Sequence, residues 1–219
     1  MNFNLRVIFS ILFILIAALV LVSCSTTPVN LSVARESVKE YYESGKFDEE
    51  LDEVISRAKN EFSAVEFTEK SVVIIDVDET ALNNYEVSKK MGYGYVYEMV
   101  HEWTQNAKVP AFPQVKELYD YLLSKGSKII FLTARRNDEY DATYKNLINQ
   151  GFTEFDTLIT KNKNEYETKS VDFKSAKRVE LIEMGYEIIG TVGDQWSDLE
   201  GSHHGIQVKI PNYLYKIAF

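Results

Sequence analysis

The sequence has 219 residues, a length that fits one domain with a buried core. Hydrophobic residues make up 45% and charged residues 26%, with 10 glycines and 4 prolines, and this composition excludes disordered and fibrous proteins. The net charge is −9, from 24 Lys and Arg against 33 Asp and Glu, without a basic block. A nucleic acid polymer or an anionic membrane surface is therefore excluded as a partner of the protein surface.

The N-terminus carries an export pattern. Residues 7–22 follow Arg6 and are apolar except for Ser10, and a small residue precedes Cys24. This order is typical of a signal peptide, whereas a membrane-spanning helix needs about 20 apolar residues. We predict a cleaved signal peptide over residues 1–23, with an uncleaved N-terminal anchor as the alternative.

Cys24 is the only cysteine, so an intramolecular disulfide is excluded. The segment Leu21–Cys24, LVSC, resembles the bacterial lipobox, which implies cleavage before Cys24 and attachment of lipid to its thiol. Several acyl chains on one residue anchor a protein stably, so we expect the lipid to be the only membrane contact. In lipoproteins of two-membrane bacteria, a residue other than Asp after the cysteine favours the outer membrane, and Ser25 stands there. The resemblance implies a cell-envelope lipoprotein whose domain faces the periplasm or the outside.

The chain after the cysteine begins with a short tether, predicted over residues 24–31. Residues 32–64 have apolar residues at helical spacing, and Gly45 is expected to divide them into two helices. Val72–Ile75 is a β-branched run without alternation, which predicts a strand covered on both faces. The run ends abruptly at Asp76.

From about Gln114 an amphipathic helix, a glycine and an apolar strand follow one another three times. Strands alternating with helices predict an α/β fold, a parallel sheet with right-handed crossovers. Residues 83–113 interrupt this order, and we expect them to form a small helical cap together with residues 32–64 on one domain, 32–219. The further strands are predicted over residues 128–132, 157–159, 187–192 and 206–210.

Chemically active residues stand at the ends of these strands, where open parallel sheets bind ligands. The first strand ends in DVDET, Asp76–Thr80, the second in LTAR, Leu132–Arg135, and the fourth in GDQWSD, Gly193–Asp198. FKSAKR, Phe173–Arg178, lies between the last two. Two carboxylates two residues apart suit a nucleophile and a proton carrier.

A third carboxylate from another strand would complete an oxygen-rich cation site, for which Mg²⁺ is a better match than zinc. The cation is needed because an anionic nucleophile approaches an anionic phosphoryl group only when charge is neutralised. Thr133 and Lys174 offer a hydroxyl and an ammonium to the phosphoryl oxygens. His101, His203 and His204 are interpreted as loop residues, because histidine is a poor ligand for Mg²⁺.

In their order, DxDxT, a strand ending in Thr, a downstream Lys and GDxxxD resemble the haloacid dehalogenase (HAD) superfamily. The similarity runs from about residue 32 to the C-terminus. It narrows to the subclass IIIB acid phosphatases, a group that includes bacterial surface lipoprotein phosphatases and plant vegetative storage proteins. The segments that narrow it are FLTAR (131–135), FKSAKR (173–178), GDQWSDLEG (193–201) and KIPNYLYKI (209–217).

The resemblance implies a HAD-like Rossmannoid sheet and Mg²⁺-dependent hydrolysis of small phosphomonoesters, such as nucleoside monophosphates and aryl phosphates, through an aspartyl phosphate. Asp76 is the implied nucleophile and Asp78 the implied acid and base, with Thr80 shaping the motif loop. The implied Mg²⁺ ligands are Asp76, Asp78 through its backbone carbonyl, Asp194 and Asp198, and the implied phosphate-binding residues are Thr133 and Lys174.

Several alternatives stay open at this stage. The chain could be a binding or storage lipoprotein without turnover, which the presence of Asp76 and Asp78 argues against, or a phosphotransferase to alcohol acceptors. Arg135 and Arg178 could contact substrate or pair with the acidic cluster. Aromatic residues of 83–113 could stack on a substrate ring or pack the insert. The sequence gives neither the oligomeric state, the pH optimum nor the preferred leaving group.

Overall fold

The structure, a computed structural model, describes residues 28–217, so the predicted signal peptide and Cys24 lie outside it. The α-helices are α1 (Leu31–Glu43), α2 (Lys46–Ser63), α3 (Tyr85–Lys90), α4 (Tyr97–Gln105), α5 (Pro113–Ser124), α6 (Tyr140–Asn149), α7 (Ser170–Glu183) and α8 (Trp196–Leu199). The strands are β1 (Ser71–Ile75), β2 (Lys128–Arg136), β3 (Thr157–Lys161), β4 (Glu187–Gly193) and β5 (Ile206–Lys209). None of the helices in residues 28–217 has the length and apolar character needed to cross a membrane.

The five strands form one parallel sheet in the order β3-β2-β1-β4-β5, which confirms the predicted α/β fold. Every residue of β1 is buried, as its unalternating apolar run predicts. Ile75 lies in register with Phe131 of β2 on one side and with Val192 of β4 on the other. Because the chain leaves β1 toward one side and later returns on the other, the carboxyl ends of β1 and β4 border a crevice.

The two faces of the sheet carry separate apolar cores. On one face, Val73 and Ile75 pack with α2 and α5. On the other face, Val72 and Ile74 pack with Phe173 of α7. Alternate residues of β1 therefore serve opposite faces, and helices cover both.

Helix α2 differs from its predicted place in the cap. It packs on the sheet beside α5, and its six buried residues belong to the first core: Phe47, Leu51, Val54, Ile55, Ala58 and Phe62. These residues recur at helical spacing and form a stripe wide enough to cover a sheet face. Gly45, with φ of 89°, makes the turn that divides α1 from α2, as predicted.

The end of α1 contacts the 83–113 insert instead. Tyr42 stacks on Tyr85 with ring centroids 4.8 Å apart, and the Tyr85 hydroxyl donates to Glu43 Oε1 at 3.0 Å. The insert returns to its starting point, because the Asn83 N–H donates to the Pro110 carbonyl at 2.8 Å. The insert is therefore a helical segment that leaves the chain and returns to it at the carboxyl end of β1.

Candidate active site

Four charged side chains converge beyond the ends of β1 and β4. Asp76 follows β1, and its N–H donates to the carbonyl of Val192 at 2.9 Å, which holds the exit of β1 against β4. Asp194 and Asp198 follow β4, and Lys174 comes from α7. These four side chains are buried, with at most 5% of each residue exposed.

Lys174 lies between two of the carboxylates. Its Nζ donates to Asp198 Oδ1 at 2.6 Å and also to Asp76 Oδ1. Burial lowers the pKa of Lys174, but the charges of Asp198 and Asp76 outweigh burial, so the pKa is raised above its usual value and the ammonium stays charged. Burial raises the pKa of Asp76 well above its usual value despite Lys174, and the neighbouring aspartates raise it further.

The three aspartates offer a site for a hard cation. Asp76, Asp194 and Asp198 each present a carboxylate oxygen, and these oxygens lie within 4.8 Å of one another. An all-oxygen donor set of this kind suits Mg²⁺ or a similar divalent cation. Burial and the charge of Asp198 raise the pKa of Asp194 to about 6, although Asn212, Gln195 and Lys174 lower it in part.

Asp194 is fixed by amide and hydroxyl donors. Gln195 Nε2 and Asn212 Nδ2 each donate to Asp194 Oδ2 at 2.6 Å, and Thr80 Oγ1 donates to Oδ1 at 3.3 Å. Donors of this kind orient a metal ligand from outside the coordination sphere. Asn212 was not predicted as a site residue; its only signal was its place in the KIPNYLYKI segment.

The Asp78 carboxylate has other partners than this cluster, although it lines the same cavity. Arg135 donates to it from Nη2 at 2.7 Å and from Nε at 3.0 Å, and Asn84 Nδ2 donates at 2.8 Å. Burial alone would raise the pKa of Asp78, but Arg135 and Asn84 lower it below its usual value. Trp103 from the insert donates through Nε1 to Asn84 at 3.1 Å and so supports this arrangement.

The two arginines that the sequence left open have different partners. Arg135 pairs with the acidic residue Asp78, one of the two alternatives. Arg178 takes neither alternative, because its fully buried guanidinium donates to backbone carbonyls of the loop after β4. The acceptors are Asp198 at 2.6 Å, Ser202 at 2.8 Å and Glu200.

Glu79 joins the motif loop to the C-terminal segment. It is 4% exposed, has φ of 53°, and accepts a hydrogen bond at Oε2 from the Tyr215 hydroxyl. Its Oε1 is buried without a partner among the described residues. Burial, with the charges of Asp78 and Asp194, raises the pKa of Glu79 well above its usual value. Sequence reasoning missed Glu79, because a glutamate beside two aspartates has no distinguishing pattern.

A cavity of about 610 Å³ opens above these residues. Thr133, only 1% exposed, lines it together with Asp76 and Lys174, so both predicted phosphate-binding residues and the predicted nucleophile border one cavity. The insert also lines this cavity, with Tyr93, Tyr95, Tyr97 and His101. His101 lies in α4, so its interpretation as a loop residue was wrong.

Comparison with known proteins places the chain in a family. A family profile described as HAD superfamily, subfamily IIIB (Acid phosphatase), matches residues 17–218. A stem 28 kDa glycoprotein of Glycine max is 36% identical over 83% of this chain and 74% of its own length, and acid phosphatase 1 of Solanum lycopersicum is 34% identical over 82% and 73%. Vegetative storage protein 1 of Arabidopsis thaliana is 33% identical over 67% of this chain and 56% of its own length.

The fold has a solved counterpart. The class C acid phosphatase from Bacillus anthracis with tungstate bound superimposes with a TM-score of 0.67 at 23% identity, over 85% of each chain. A second structure of this class C acid phosphatase gives a TM-score of 0.69 at 22% identity. The likeness shows a common fold, and the sequence family carries the class of activity. The chain therefore belongs to the HAD superfamily, subfamily IIIB, and is a phosphoric monoester hydrolase of the acid phosphatase type.

Proposed function

We propose that the protein is a lipid-anchored, Mg²⁺-dependent acid phosphatase that hydrolyses small phosphomonoesters through an aspartyl phosphate. The observation that carries this proposal is the buried group of Asp76, Lys174, Asp194 and Asp198 at the floor of the cavity. The Lys174 ammonium contacts Asp76, the proposed nucleophile, and Asp198. Carboxylate oxygens of Asp76, Asp194 and Asp198 lie within 4.8 Å of one another. A purely structural core has no use for so much buried charge, whose desolvation is costly.

The first half of the proposed reaction transfers the phosphoryl group to Asp76. A carboxylate oxygen of Asp76 attacks phosphorus while the bond from phosphorus to the leaving oxygen breaks. The leaving oxygen takes a proton from Asp78, whose pKa the bound anionic phosphoryl group raises against the lowering by Arg135 and Asn84. The Lys174 ammonium and the Thr133 hydroxyl bind the oxygens of the phosphoryl group in transfer.

The second half releases phosphate. Water attacks the phosphorus of the aspartyl phosphate, Asp78 takes the proton of this water, and the bond between phosphorus and Asp76 breaks. Arg135 and Asn84 orient the Asp78 carboxylate by hydrogen bonds. We propose that this holds the Asp78 side chain ready for both proton transfers, while only its backbone carbonyl is left for the cation.

The residues fit a divalent cation, as members of this family generally use. Asp76, Asp194 and Asp198 would hold it with carboxylate oxygens, and the resemblance adds the backbone carbonyl of Asp78. When bound, the cation neutralises the phosphoryl oxygens so that an anionic nucleophile can approach. We propose Mg²⁺ because the donors are hard oxygens throughout.

The decisive experiment is phosphate release by the full chain, purified in detergent, from nucleoside monophosphates and an aryl phosphate, with Mg²⁺ or with EDTA. Asp76→Asn is compared with Asp141→Asn, the same substitution on the exposed face of α6. We expect turnover that needs both the cation and Asp76. Absence of turnover across the panel from folded protein would favour the binding or storage alternative, to which the names of several relatives point.

The same assay separates hydrolysis from transfer. An alcohol acceptor competes with water for the aspartyl phosphate, so a transferase would form the acceptor's phosphate ester at the expense of inorganic phosphate. We expect inorganic phosphate as the main product. A majority of phosphate ester at moderate acceptor concentration would instead assign the transferase activity.

Support for the lipid anchor comes from the sequence of residues 7–25. We propose that Cys24 carries acyl chains and holds the domain at the cell envelope, with the outer membrane favoured by Ser25. Labelled palmitate should enter the wild-type chain and the membrane fraction in a bacterial host and be absent from Cys24→Ser. Equal labelling of both chains would reject the anchor.

A further inference from the structure

We propose that Arg136 forms a second anion-binding position in the cavity, so that the enzyme prefers phosphomonoesters carrying a further carboxylate or phosphate remote from the scissile group. The inference rests on the proposed function and names a substrate class for the same site. It arises from a contrast between two adjacent arginines at the end of β2.

Arg135 and Arg136 both line the cavity, but only one of them is neutralised. Arg135 pairs with Asp78. Across residues 28–217, the Arg136 guanidinium has no carboxylate within 4.0 Å. The nearby acid Glu139 is engaged elsewhere, since its Oε2 accepts from the Arg136 backbone N–H at 3.3 Å and its Oε1 lies 3.1 Å from His101 Nδ1.

Two tyrosine rings contact the Arg136 guanidinium. Its central carbon lies 5.3 Å from the ring centroid of Tyr97, in the insert, and 4.8 Å from that of Tyr166, before α7. Stacking on aromatic rings restrains the planar group while the N–H donors at its edge stay available. A restrained guanidinium loses little conformational entropy when it binds a carboxylate or a phosphate.

The position of Arg136 sets the reach of such a substrate. Arg136 lies three residue steps along the strand from Thr133, which corresponds to about 10 Å of backbone. Lys161 lies opposite Arg136 in the register of β2 and β3, and among the described residues it too has no carboxylate partner, its Nζ donating to the Thr168 carbonyl at 2.5 Å. Arg136, which lines the cavity, therefore offers a positive charge without a carboxylate partner among the described residues, at a distance from the phosphoryl position that a nucleoside or an aryl ring can span.

The test uses two matched substrate pairs with the full chain in detergent: phenyl phosphate against 4-carboxyphenyl phosphate, and adenosine 5′-monophosphate against adenosine 3′,5′-bisphosphate. We expect wild type to prefer the member with the additional carboxylate or phosphate in at least one pair, in kcat/KM by about tenfold, the effect of one charge-assisted hydrogen bond. The preferred pair tells whether the second anion is a carboxylate or a phosphate. No preference in either pair overturns the proposal without any variant.

Substitution then assigns the preference to this residue. Arg136→Gln should remove it, Arg136→Lys should keep part of it, and Arg57→Gln, an equal charge change on the exposed face of α2, should leave it intact. An unchanged preference in folded Arg136→Gln overturns the proposal. If Arg136→Gln fails to fold, the wild-type preference is tested at higher ionic strength, where it should shrink if charge carries it.

A binding measurement separates this proposal from the phosphatase assignment. In the Asp76→Asn background, calorimetry should show tighter binding of the bisphosphate than of the monophosphate, and adding Arg136→Gln should abolish the difference. If wild type hydrolyses nothing but this binding difference holds, the phosphatase assignment fails and the anion position stands. If hydrolysis holds and the affinities are equal, the anion position alone fails.

Discussion

The floor and the rim of the cavity handle charge in opposite ways. At the floor, Asp76, Asp194, Asp198 and Lys174 are buried and every charge has a charged or hydrogen-bonding partner. At the rim, the insert presents aromatic rings, and Tyr95 is 74% exposed. We therefore expect substitutions of the buried charged residues at the floor to disrupt the site. Substitutions of the exposed aromatic residues at the rim should alter substrate affinity more than the rate of the chemical step.

Removing Asp76, the proposed nucleophile, should have the largest effect on activity. Asp76→Asn keeps the shape of the side chain but not its charge or nucleophilicity, and we expect kcat to fall by about 10⁴-fold or more, as for other nucleophile deletions. Steady-state kinetics on an aryl phosphate with saturating Mg²⁺ measures this. Residual activity above a few per cent of wild type would show that another group attacks phosphorus.

Removing Arg178, which donates to the backbone after β4, should have the next largest effect, a loss of stability. Arg178→Met leaves three loop carbonyls without their donor, and we expect the free energy of unfolding to fall by about 3 kcal/mol. Urea denaturation followed by circular dichroism measures it. The matched change Arg57→Met, on an exposed residue, should cost at most about 0.5 kcal/mol, and equal losses would contradict this reading of Arg178.

Removing a hydrogen bond that orients Asp194 should have a smaller effect, which we expect only in the affinity for the cation. Asn212→Ala removes one of two donors to Asp194 Oδ2, and we expect Mg²⁺ affinity to drop by about tenfold, within the range found for residues that orient metal ligands. Calorimetric titration with Mg²⁺ measures the change, with the exposed Asn149→Ala as the control. Unaltered affinity would mean that Gln195 and Thr80 suffice to orient the ligand.

The rim should respond least. Tyr95→Ala removes an exposed ring from the cavity wall, and we expect stability within about 0.5 kcal/mol of wild type and KM for an aryl phosphate raised by about threefold. Thermal melting and kinetics check both values. A larger loss in kcat than in affinity would show that the rim takes part in the chemistry, and the contrast between floor and rim would no longer hold.

The order of strands and helices along the chain could be predicted from the sequence, because each element has a local pattern of apolar residues. Unalternating apolar runs mark the buried strands, and parallel strands collect their carboxyl ends at one edge, so residues after β1 and β4 had to lie close together. Strand β2 is longer than predicted, Lys128–Arg136 rather than residues 128–132, because pairing with β3 resumes at Arg136 beyond the apolar run.

The missed residues depend on distant contacts. Glu79 meets Tyr215, and Asn212 meets Asp194, through pairings between segments far apart in sequence. No local pattern encodes them. The prediction that α2 belongs to the cap differs from the structure for a related reason. The pattern of an amphipathic helix shows that one face is buried, but it does not show which element covers that face.

The grip of Arg178 on the loop after β4 has a consequence for acid tolerance. Lys174 is held by carboxylates, which become neutral as the solution is acidified, whereas Arg178 is held by backbone carbonyls, which have no titration in that range, and its own guanidinium keeps its proton. The segment after β4, which carries Asp198, is therefore held by hydrogen bonds from Arg178 whose strength is independent of pH. In the exported enzyme that we propose, the hydrogen bonds from Arg178 would persist at an acidity that protonates the carboxylates of the site.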